Sequence, residues 1–495
     1  MSSLPNGWTE VSLAELTCKV GSGSTPKGGE SVYKKSGTPL IRSMNVVFFG
    51  FKRDGLAYLD DKQARLLNGS EVRSDDVLLN ITGASIGRVT IAPFDLNGSR
   101  VNQHVCIIRP VAEVDPRYLR AYLSSPVLQA VITQDNYGVT RQALTKEQIL
   151  EFSVPLASLS EQKRIAEKLD VLLARIDISR ARLDRIPGLL KRFRQSVLAA
   201  VTNGELSEEW RGLRPHETAQ ELCDALLKDH EDVGGHKRGN ASDPTDDAHD
   251  LSQDSIPMEW RVVTMKDVCT PGRPITYGIL KPGPELEEGV PYIRVADFPG
   301  NRLSLANIKK TSPAIDEQFR RSRLNSGDLL LSIRGSVGRL VEIPEALSGA
   351  NITQDTARLS ISGRLCARYV YFALLSEDVQ RRMRLSTRGV AVRGINIGDV
   401  RALQIPLPPL PEQTEIVRRV ETLFALADKV QSQYTAARAR IDKLTAAILA
   451  KAFRGELVPQ DPNDEPASVL LARLRAQRDA APAQTRRGRK PAAKH

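Results

Sequence analysis

The chain repeats itself, and this property limits its fold more than any other. The segment DVLLNITGASIGR (76–88) matches DLLLSIRGSVGR (328–339), and PNGW (5–8) matches PMEW (257–260). Further matches follow in the same order, 251 or 252 residues apart, as far as GEL at 204–206 and 455–457. Self-similarity at one fixed period indicates a duplicated structural unit. We therefore expect two similar units in tandem.

Each repeat begins with about 150 residues in which short apolar and β-branched runs are separated by Gly and Pro, a pattern typical of strands and turns. The predicted strands are 76–81, 101–108, 328–333 and 356–361. Helical patterns lie between them, at 117–124 and 366–376. The sequence thus predicts a mixed α/β fold with two globular modules, each built on a largely antiparallel sheet.

Each module is followed by a long heptad pattern, with apolar residues spaced alternately by four and three. In the first repeat the predicted coiled-coil interface consists of Ile165, Leu169, Leu172, Ile176, Leu183, Leu190 and Phe193. In the second repeat it consists of Ile416, Val420, Leu423, Val430, Ile441, Leu444 and Ile448. The two patterns match position for position, so we expect two long antiparallel coiled-coil helices that separate the modules in a pseudo-two-fold repeat.

Two details qualify this prediction. An amphipathic helix packed on its own module would also show an apolar stripe, although four to five heptads in both copies favour the coiled coil. Pro187 and Gly188 lie inside the first heptad run, and a proline there removes a helical hydrogen bond. We expect a kink or a break at that point.

These patterns divide the chain into six segments. They are a first module (1–157), a central long helix (158–203), a short helix with a flexible acidic linker (204–255), a second module (256–408), a distal long helix (409–454), and a short helix with a basic disordered tail (455–495). The linker is rich in Gly, Asp and Ser, whereas the last ten residues contain five Lys or Arg.

Charge and cysteine usage indicate the setting in which the protein works. The formal net charge is +11, which favours a polyanionic partner. The five cysteines are scattered without a C-x-x-C pair, as expected for reduced cytosolic thiols. The sequence shows neither a signal-peptide pattern at its start nor an apolar run long enough to cross a bilayer. We expect a cytoplasmic protein without membrane contact.

Residue patterns for catalysis are missing from the sequence. The turns GASIG (83–87) and GSVG (335–338) lack the length and the Lys-Ser/Thr of a phosphate loop. His104 is the only histidine deep within a module, and neither a methyltransferase tetrapeptide nor a nuclease metal cluster is present. We expect a non-catalytic chain that holds neither a cofactor nor a metal.

Two segments carry a resemblance to a known family. PLPPLPEQ (406–413), which leads into the distal helix, and KRFRQSVLAA (191–200), near the end of the central helix, resemble the specificity subunit of type I restriction-modification systems. TYGILKPG (276–283) at the front of the second module strengthens the resemblance, which covers nearly the whole chain. The first copy departs from the proline-rich segment and reads VPLASLSEQ (154–162).

This resemblance implies that each module is a target-recognition domain for one half of a split site in double-stranded DNA. The helices would set the gap between the halves. Since the modules differ in sequence, the bipartite target would be asymmetric. The implied partners are two methyltransferase subunits and the restriction/translocase subunits, which use S-adenosylmethionine, ATP and Mg. The alternative is a coiled-coil protein scaffold without specific DNA recognition.

Polar and basic residues near the predicted strands are the candidates for DNA contact, because Arg and Lys read guanine whereas Asn and Gln read adenine. In the first module they are Lys27, Arg42, Asn45, Asn102, Gln103, Thr140 and Arg141. In the second module they are Tyr277, Lys281, Arg294, Arg334, Gln354, Arg388 and Arg393.

Overall fold

The computed structural model divides the chain into two compact units. The first unit comprises Met1–Asp184 and Thr435–His495, and the second comprises Arg185–Tyr434. The structure describes residues 4–134, 143–214, 217–233, 251, 255–387 and 394–480. Most of the predicted linker and the basic tail lie outside these ranges. Each unit thus combines one module with parts of both long heptad regions.

The first unit contains eleven strands among its described residues. They are β1 (Thr9–Ser12), β2 (Thr17–Ser22), β3 (Thr38–Ile41), β4 (Val46–Val47), β5 (Gly50–Phe51), β6 (Ala57–Leu59), β7 (Val77–Asn80), β8 (Val89–Ile91), β9 (Arg100–Val101), β10 (Val105–Pro110) and β11 (Ser153–Leu156). Its helices before the long region are α1 (Leu13–Leu16), α2 (Asp61–Leu66), α3 (Pro116–Leu123), α4 (Pro126–Gln134) and α5 (Lys146–Leu150). The first long helix is α6 (Leu159–Leu183).

The second unit begins with helices α7 (Ile186–Asn203), α8 (Glu208–Gly212) and α9 (Gln220–Val233). Its strands are β12 (Arg261–Thr264), β13 (Thr276–Tyr277), β14 (Val290–Ile293), β15 (Lys309–Thr311), β16 (Leu329–Ser332), β17 (Leu340–Glu342), β18 (Asn351–Ile352), β19 (Thr356–Leu359) and β20 (Gln404–Leu407). The module's helices are α10 (Pro313–Gln318), α11 (Ala367–Leu375), α12 (Glu377–Leu385) and α13 (Ile397–Ala402). Helix α14 (Leu410–Ala452) contributes to both units, and α15 (Ala467–Ala480) belongs to the first.

The four-stranded and three-stranded sheets of the two modules correspond strand for strand, whereas the pair β4–β5 of the first unit has no counterpart among the described strands of the second. The four-stranded sheets have the orders β2-β10-β7-β8 and β13-β19-β16-β17 and are antiparallel throughout. The three-stranded sheets β6-β3-β9 and β15-β14-β18 each contain one parallel pair, β3 with β9 and β14 with β18. The predicted mixed fold with largely antiparallel sheets is confirmed.

A buried strand lies at the centre of each module and faces two hydrophobic clusters. Val77 and Leu79 of β7 pack into one cluster, whereas Leu78 packs into another. Successive side chains of a strand point to opposite faces, so a run that is apolar at every position must be covered on both sides. The strand Leu329–Ser332 follows the same rule, with Leu330 facing a separate cluster. This explains the continuous apolar runs in the two repeats.

The long helices begin directly after the strand pairs that close each module. β1 pairs with β11, and β12 pairs with β20. The expected break in the first heptad region is confirmed, since α6 ends at Leu183 and α7 begins at Ile186. Pro187 explains this position, because its ring clashes with the carbonyl four residues earlier, which is that of Leu183.

Within each unit the long helices pair in antiparallel fashion. In the first unit, Arg180 of α6 lies 3.3 Å from Asp442 of α14, and Asp184 forms an ion pair with Arg438. The partner numbers fall as the α6 numbers rise. In the second unit, Arg194 of α7 contacts Asp428 of α14 at 2.6 Å. The same unit places Arg211 against Glu412, which repeats the antiparallel order.

One predicted interface residue departs from the heptad pattern. Leu444 is 47% exposed, while Leu449 is buried against α6 and Thr445 is partly buried beside it. A straight α-helix has 3.6 residues per turn and drifts about 20° per heptad from a 3.5-residue repeat. Toward the end of the 43-residue helix α14, this drift turns Leu444 out of the interface.

The other predicted interface residues line the paired faces to different depths. Ile165, Leu169, Ile176, Ile416 and Val420 are buried. The partly buried ones are Leu172, Leu183, Leu190, Phe193, Leu423, Val430, Ile441 and Ile448.

A buried tryptophan–glutamate hydrogen bond joins each module to its long helix. Trp8 Nε1 donates to Glu161 Oε2 at 2.9 Å, and Trp260 Nε1 donates to Glu412 Oε2 at 2.9 Å. The carboxylate environments differ. Glu412 also accepts from Arg211, whereas Glu161 Oε1 receives no hydrogen bond from any described residue. Burial accordingly raises the pKa of Glu161 above its ordinary value.

Two further contacts recur at the start of each long helix. Gln162 accepts from the backbone N–H of Asp115, and Gln413 accepts from that of Cys366, both at 3.0 Å. The Tyr118 hydroxyl donates to the Pro155 carbonyl, as the Tyr369 hydroxyl does to that of Pro406. The backbone positions that the two repeats share thus keep the same polar contacts.

The segments that follow the long helices fold back onto the modules. In the first unit, α15 packs into the module core through Leu470, Leu471 and Leu474. Asp464, which lies before this helix, accepts from Arg164 at 2.6 Å and from Ser158 at 3.0 Å. The Arg164 guanidinium lowers the pKa of Asp464 below its ordinary value.

Within the described part of the chain, no helix is both long and apolar enough to span a membrane. All five cysteines are free. Burial raises the pKa of Cys106 and of Cys269 to about 12, which keeps these thiols protonated.

We predict that Trp8→Phe destabilises its unit more than Trp260→Phe does. Trp8→Phe leaves the buried Glu161 carboxylate without its indole donor and should lower the free energy of unfolding by about 2–3 kcal/mol. After Trp260→Phe, Glu412 still accepts from Arg211, so the loss should be about 1 kcal/mol. Hydrogen exchange at the start of α6 and of α14 measures both losses. Equal losses would contradict this account of the two carboxylates.

We also predict that Asp464→Asn removes a pH-dependent contribution to the docking of α15. Because the pKa of Asp464 is lowered in the folded state, this contribution is present above the ordinary value of 3.8 and is lost as the pH falls through the folded value. Above pH 5 the variant should lose about 1 kcal/mol in exchange protection of α15. Asp461→Asn is the control, since the Asp461 carboxylate accepts from Asn463 rather than from Arg164 or Ser158.

Candidate nucleic-acid interface

Four loops of the first unit meet at one end of its four-stranded sheet. The loop after β2 reaches the turn after β9, where Gly23 N donates to the Asn102 carbonyl at 3.1 Å. The turn after β7 joins them through Ile81 N and the His104 carbonyl at 3.0 Å. Ala143 forms a β-bridge with Thr82 and adds the fourth chain. We call residues 23–27, 82–88, 102–104 and 143 the first loop edge.

The second unit repeats this arrangement. Gly278 N donates to the Thr353 carbonyl at 3.3 Å, and Ile333 N donates to the Asp355 carbonyl at 2.9 Å. Gly394 forms a β-bridge with Arg334, as Ala143 does with Thr82. Residues 277–282, 334–338, 353–355 and 394 form the second loop edge. The repeat therefore places matching loops together in both units.

A glycine allows the close chain approach in each edge. A Cβ at Gly23 would lie 1.6 Å from the Val101 carbonyl oxygen, and one at Gly278 would lie 1.9 Å from that of Ile352. Both distances are far below van der Waals contact, so only glycine fits there. These positions fix the first loop of each edge against the turn behind it.

Several predicted DNA-contact residues lie on the loop edges with exposed side chains. Lys27 and Gln103 are exposed in the first unit. In the second unit Lys281 is exposed, Tyr277 is 45% exposed, and the Arg334 side chain is 52% exposed. These side chains are accessible to a ligand that approaches the edge. Gln354 is half-buried, with its amide against the carbonyls of Ile279 and Leu280.

Other predicted residues are used inside the fold. Asn45 is 0% exposed, and its amide donates to the Lys52 carbonyl at 2.9 Å while accepting from Arg42 N. Asn102 is buried, and its side chain accepts from His104 N at 3.1 Å. Short polar side chains in loops commonly bond the nearby backbone. Asn45 and Asn102 are therefore engaged within the module, and direct DNA contact by either residue stays a prediction.

Arg42 and Arg294 occupy equivalent short 3₁₀ turns beside the edges. Arg42 donates to Glu30 at 2.7 Å and to the Gly55 carbonyl at 2.6 Å. Arg294 donates to Asp297 at 2.6 Å. Their guanidinium groups are thus engaged within their own modules. The predicted residues Thr140, Arg141, Arg388 and Arg393 lie outside the described residues.

The structure adds residues that the sequence reasoning missed. Thr82 Oγ1 lies 2.6 Å from His104 Nδ1, and the Thr25 hydroxyl contacts the Gln103 amide. In the second unit, Arg334 lies 4.0 Å from Asp355. Thr82 is the repeat counterpart of the predicted residue Arg334, so projecting that residue onto the first repeat could have identified it. Asp355 is the counterpart of His104, which is not among the predicted DNA-contact residues.

The two edges therefore combine one backbone frame with different side chains. A threonine–histidine pair occupies the place of an arginine–aspartate pair. These groups offer different hydrogen-bond donors and acceptors, which is the requirement for distinguishing base edges. Among the described residues, no cluster of His, Cys, Asp or Glu is arranged to hold a metal. Such a pair of related modules with distinct polar edges defines a two-module recognition protein.

Comparison with known proteins identifies the family. The model for the type I restriction modification DNA specificity domain matches residues 5–187 and 257–434. The chain belongs to this family and is a specificity subunit of a type I restriction-modification system. In such systems the specificity subunit is non-catalytic, and other subunits carry the methylase and nuclease activities. The comparisons do not support a scaffold that lacks DNA recognition.

Curated relatives match along nearly the whole chain. The EcoBI specificity subunit of Escherichia coli is 31% identical over 97% of this chain and 94% of its own length. The EcoKI specificity subunit of Escherichia coli strain K12 is 26% identical over 96% of this chain and 97% of its own.

Solved structures agree on the fold. The HsdS subunit from Thermoanaerobacter tengcongensis has a TM-score of 0.56 at 21% identity and covers 92% of this chain and 98% of its own. A chain from a study of complex assembly and conformational transition in the type I R-M system has a TM-score of 0.64, again at 21% identity, and covers 92% of this chain and 100% of its own.

We predict that Asn45→Ala mainly lowers stability, whereas Gln103→Ala mainly changes DNA recognition. Asn45→Ala removes buried hydrogen bonds and should cost about 1–3 kcal/mol in stability. Gln103→Ala should change stability by less than about 0.5 kcal/mol but alter DNA affinity. Thermal denaturation and DNA titration of both variants test this. An unaltered DNA affinity for Gln103→Ala would contradict the assignment.

Proposed function

We propose that the chain reads an asymmetric, bipartite site in double-stranded DNA, with one loop edge for each half-site. The supporting observation is the combination of matched frames with different edge side chains. The Thr82–His104 and Arg334–Asp355 pairs occupy equivalent places but present different polar groups. Identical readers would recognise identical halves. Different readers on equivalent frames favour two different half-sites.

The charge balance supports contact with the DNA backbone. The formal net charge is +11, and neutralised phosphates provide the sequence-independent part of the affinity. Base contacts from the exposed edge residues would add the specificity. We assign Gln103 to the first half-site and Arg334 and Tyr277 to the second, with Lys27 and Lys281 at phosphates.

We further propose that the paired helices separate the half-sites and provide binding surfaces for the other subunits. Two methyltransferase subunits and the restriction/translocase subunits would assemble on this chain in the cytoplasm. S-adenosylmethionine, ATP and Mg would be bound by those partners. The antiparallel pairing within each unit supports this role, because it gives both modules the same relation to a helix pair.

Single-edge substitutions should change one half of the methylated sequence at a time. Gln103→Ala should relax one half-site and Arg334→Ala the other, each by about 1–3 kcal/mol of discrimination at the affected base. Methylome sequencing of a host that carries each variant with its methyltransferase measures the change. Arg364→Ala is the control for lost charge, because Arg364 is about as exposed as Arg334 and follows the end of β19 that is opposite the loop edge. Loss of specificity in the same half-site by both variants would contradict the assignment.

Lengthening the helix pair should change the spacer but leave both half-sites unchanged. Insertion of one heptad into each of the two long helical regions keeps their apolar registers and should alter the preferred distance between half-sites. Insertion into α14 alone breaks the pairing and should reduce stability instead. The same methylome readout gives the spacer. An unchanged spacer in the double insertion would refute the role of the helices as a ruler.

A further inference from the structure

A pocket lined by five arginines lies in the second unit, away from its loop edge. It has a volume of about 520 Å³ and is lined by Arg273, Arg320, Arg321, Arg323 and Arg358, together with neutral residues. Asp328, beside this pocket, precedes β16, whereas Arg334 follows it. The strand separates the two sites by roughly 13 Å at about 3.3 Å per residue. We call this feature the arginine pocket.

The carboxylates near the pocket neutralise only some of these charges. Asp328 accepts from Arg273 at 2.8 Å. Asp316 and Glu317 accept from Arg323 at 2.8 and 2.7 Å. Glu317 also lies 3.4 Å from Arg320, so one carboxylate is shared by two cations. The lining itself contains no acidic side chain.

Arg321 and Arg358 of the pocket form no ion pair within 4.0 Å with a carboxylate among the described residues. Arg358 is 3% exposed and donates to the backbone carbonyls of Pro274 and Arg323 at 3.1 and 3.2 Å. Its Nε, like that of Arg273, is buried without a hydrogen-bond partner in the described chain. Arg321 is exposed at the rim and forms no ion pair with a described residue. The charge of Asp328 is shared by Arg358 and Arg273, so one buried carboxylate serves two cations. An incompletely compensated buried charge is costly, and an anion would relieve that cost.

The electrostatics of Arg358 agree with this deficit. Burial and the nearby charge of Arg273 lower the pKa of Arg358 below its ordinary value. The proximity of two positive charges is unfavourable in a desolvated site. A bound oxyanion would attract both charges and make the interaction energy at the site favourable. Arginine is also well suited to phosphate, because its planar fork donates two parallel hydrogen bonds.

The first unit shows that the fold does not require this cluster. Helix α2 and the turn Asn68–Ser70 correspond to α10 and the turn Arg320–Ser322. The first unit therefore has Asn68, Gly69 and Glu71 where the second has three arginines. Its equivalent of Asp328 is Asp76, which is engaged by Arg109 at 2.7 and 2.8 Å. Arg320, Arg321 and Arg323 are thus a feature of the second module alone.

We propose that the arginine pocket binds a phosphate group. The exposed Arg320 and Arg321 supply donors, and Arg273, Arg323 and Arg358 add positive charge around them. The pocket volume lies within the range of about 300–1,000 Å³ that is usual for ligand sites. The phosphate comes either from a DNA backbone beyond the bases read by the loop edge or from a free phosphate compound. Both sources present the same oxyanion to the same donors.

Titration of the full-length chain with inorganic phosphate in a low-salt chloride buffer tests the pocket without DNA. The informative variant is Arg320→Asn with Arg321→Ala, which changes two exposed residues, the first to the residue type of the other module. Arg381→Ala with Arg384→Ala removes the same charge from exposed positions on α12. We expect wild type and this control to bind phosphate alike and the pocket variant to bind about tenfold more weakly. Equal binding by all three chains, or no binding by wild type, would overturn the proposal.

The source of the phosphate follows from a second titration, with DNA and the chain bound to its methyltransferase. If the backbone supplies the phosphate, the pocket variant should lower the slope of log affinity against log salt by about one per lost contact, relative to the control. If a free phosphate compound supplies it, that slope should equal the control's while phosphate binding is still reduced. Both results support the pocket. Because the first titration contains no DNA, its outcome is independent of the proposed half-site recognition.

Discussion

The buried hydrogen bond between a module tryptophan and a helix glutamate is the constraint on which each unit depends. Trp8 and Trp260 lie at the start of their modules, whereas Glu161 and Glu412 lie in the first turns of the long helices. A buried carboxylate needs its donors, so the module and the helix must keep one orientation. The adjacent glutamines, Gln162 and Gln413, add a second polar contact at the same joint.

This joint and the sheets restrict which residues can change, whereas the side chains of the loop edges can vary. Substitutions in the sheets or at the joint would disturb the module and its helix together. The loop edges lie at one end of each sheet, where side chains such as Gln103 and Arg334 are exposed. Their backbones are set by carbonyl contacts that only glycine permits, at Gly23 and Gly278. Different recognition residues can therefore occupy one frame, as a specificity subunit requires.

Much of this organisation could be predicted from the sequence, because the repeat is a long-range pattern. Two modules, the buried strands and the antiparallel helices follow from periodicities that extend over many residues. The burial of single polar residues does not follow from such periodicities. Asn45 and Gln103 look alike as candidates, yet one completes a turn and the other reaches the surface, since the difference depends on carbonyls at Lys52 and elsewhere in the fold. The turn of Leu444 out of the interface reflects accumulated helix drift, which a strict heptad count ignores.

The arginine pocket is a second feature that the sequence pattern does not predict. Arg273, Arg321 and Arg358 are far apart in the chain, and only the pairing of β13, β16 and β19 brings their segments together. No local pattern marks them. The first unit carries Asn68, Gly69 and Glu71 at the equivalent places, so the fold does not need the charges of Arg320, Arg321 and Arg323.

The central claim is that two different readers on one chain recognise two separated half-sites. Hydroxyl-radical footprinting of the chain with its methyltransferase on a methylatable target tests it most directly. The account predicts two protected segments of different sequence at a fixed separation. A single continuous footprint, or protection that does not depend on sequence, would contradict it.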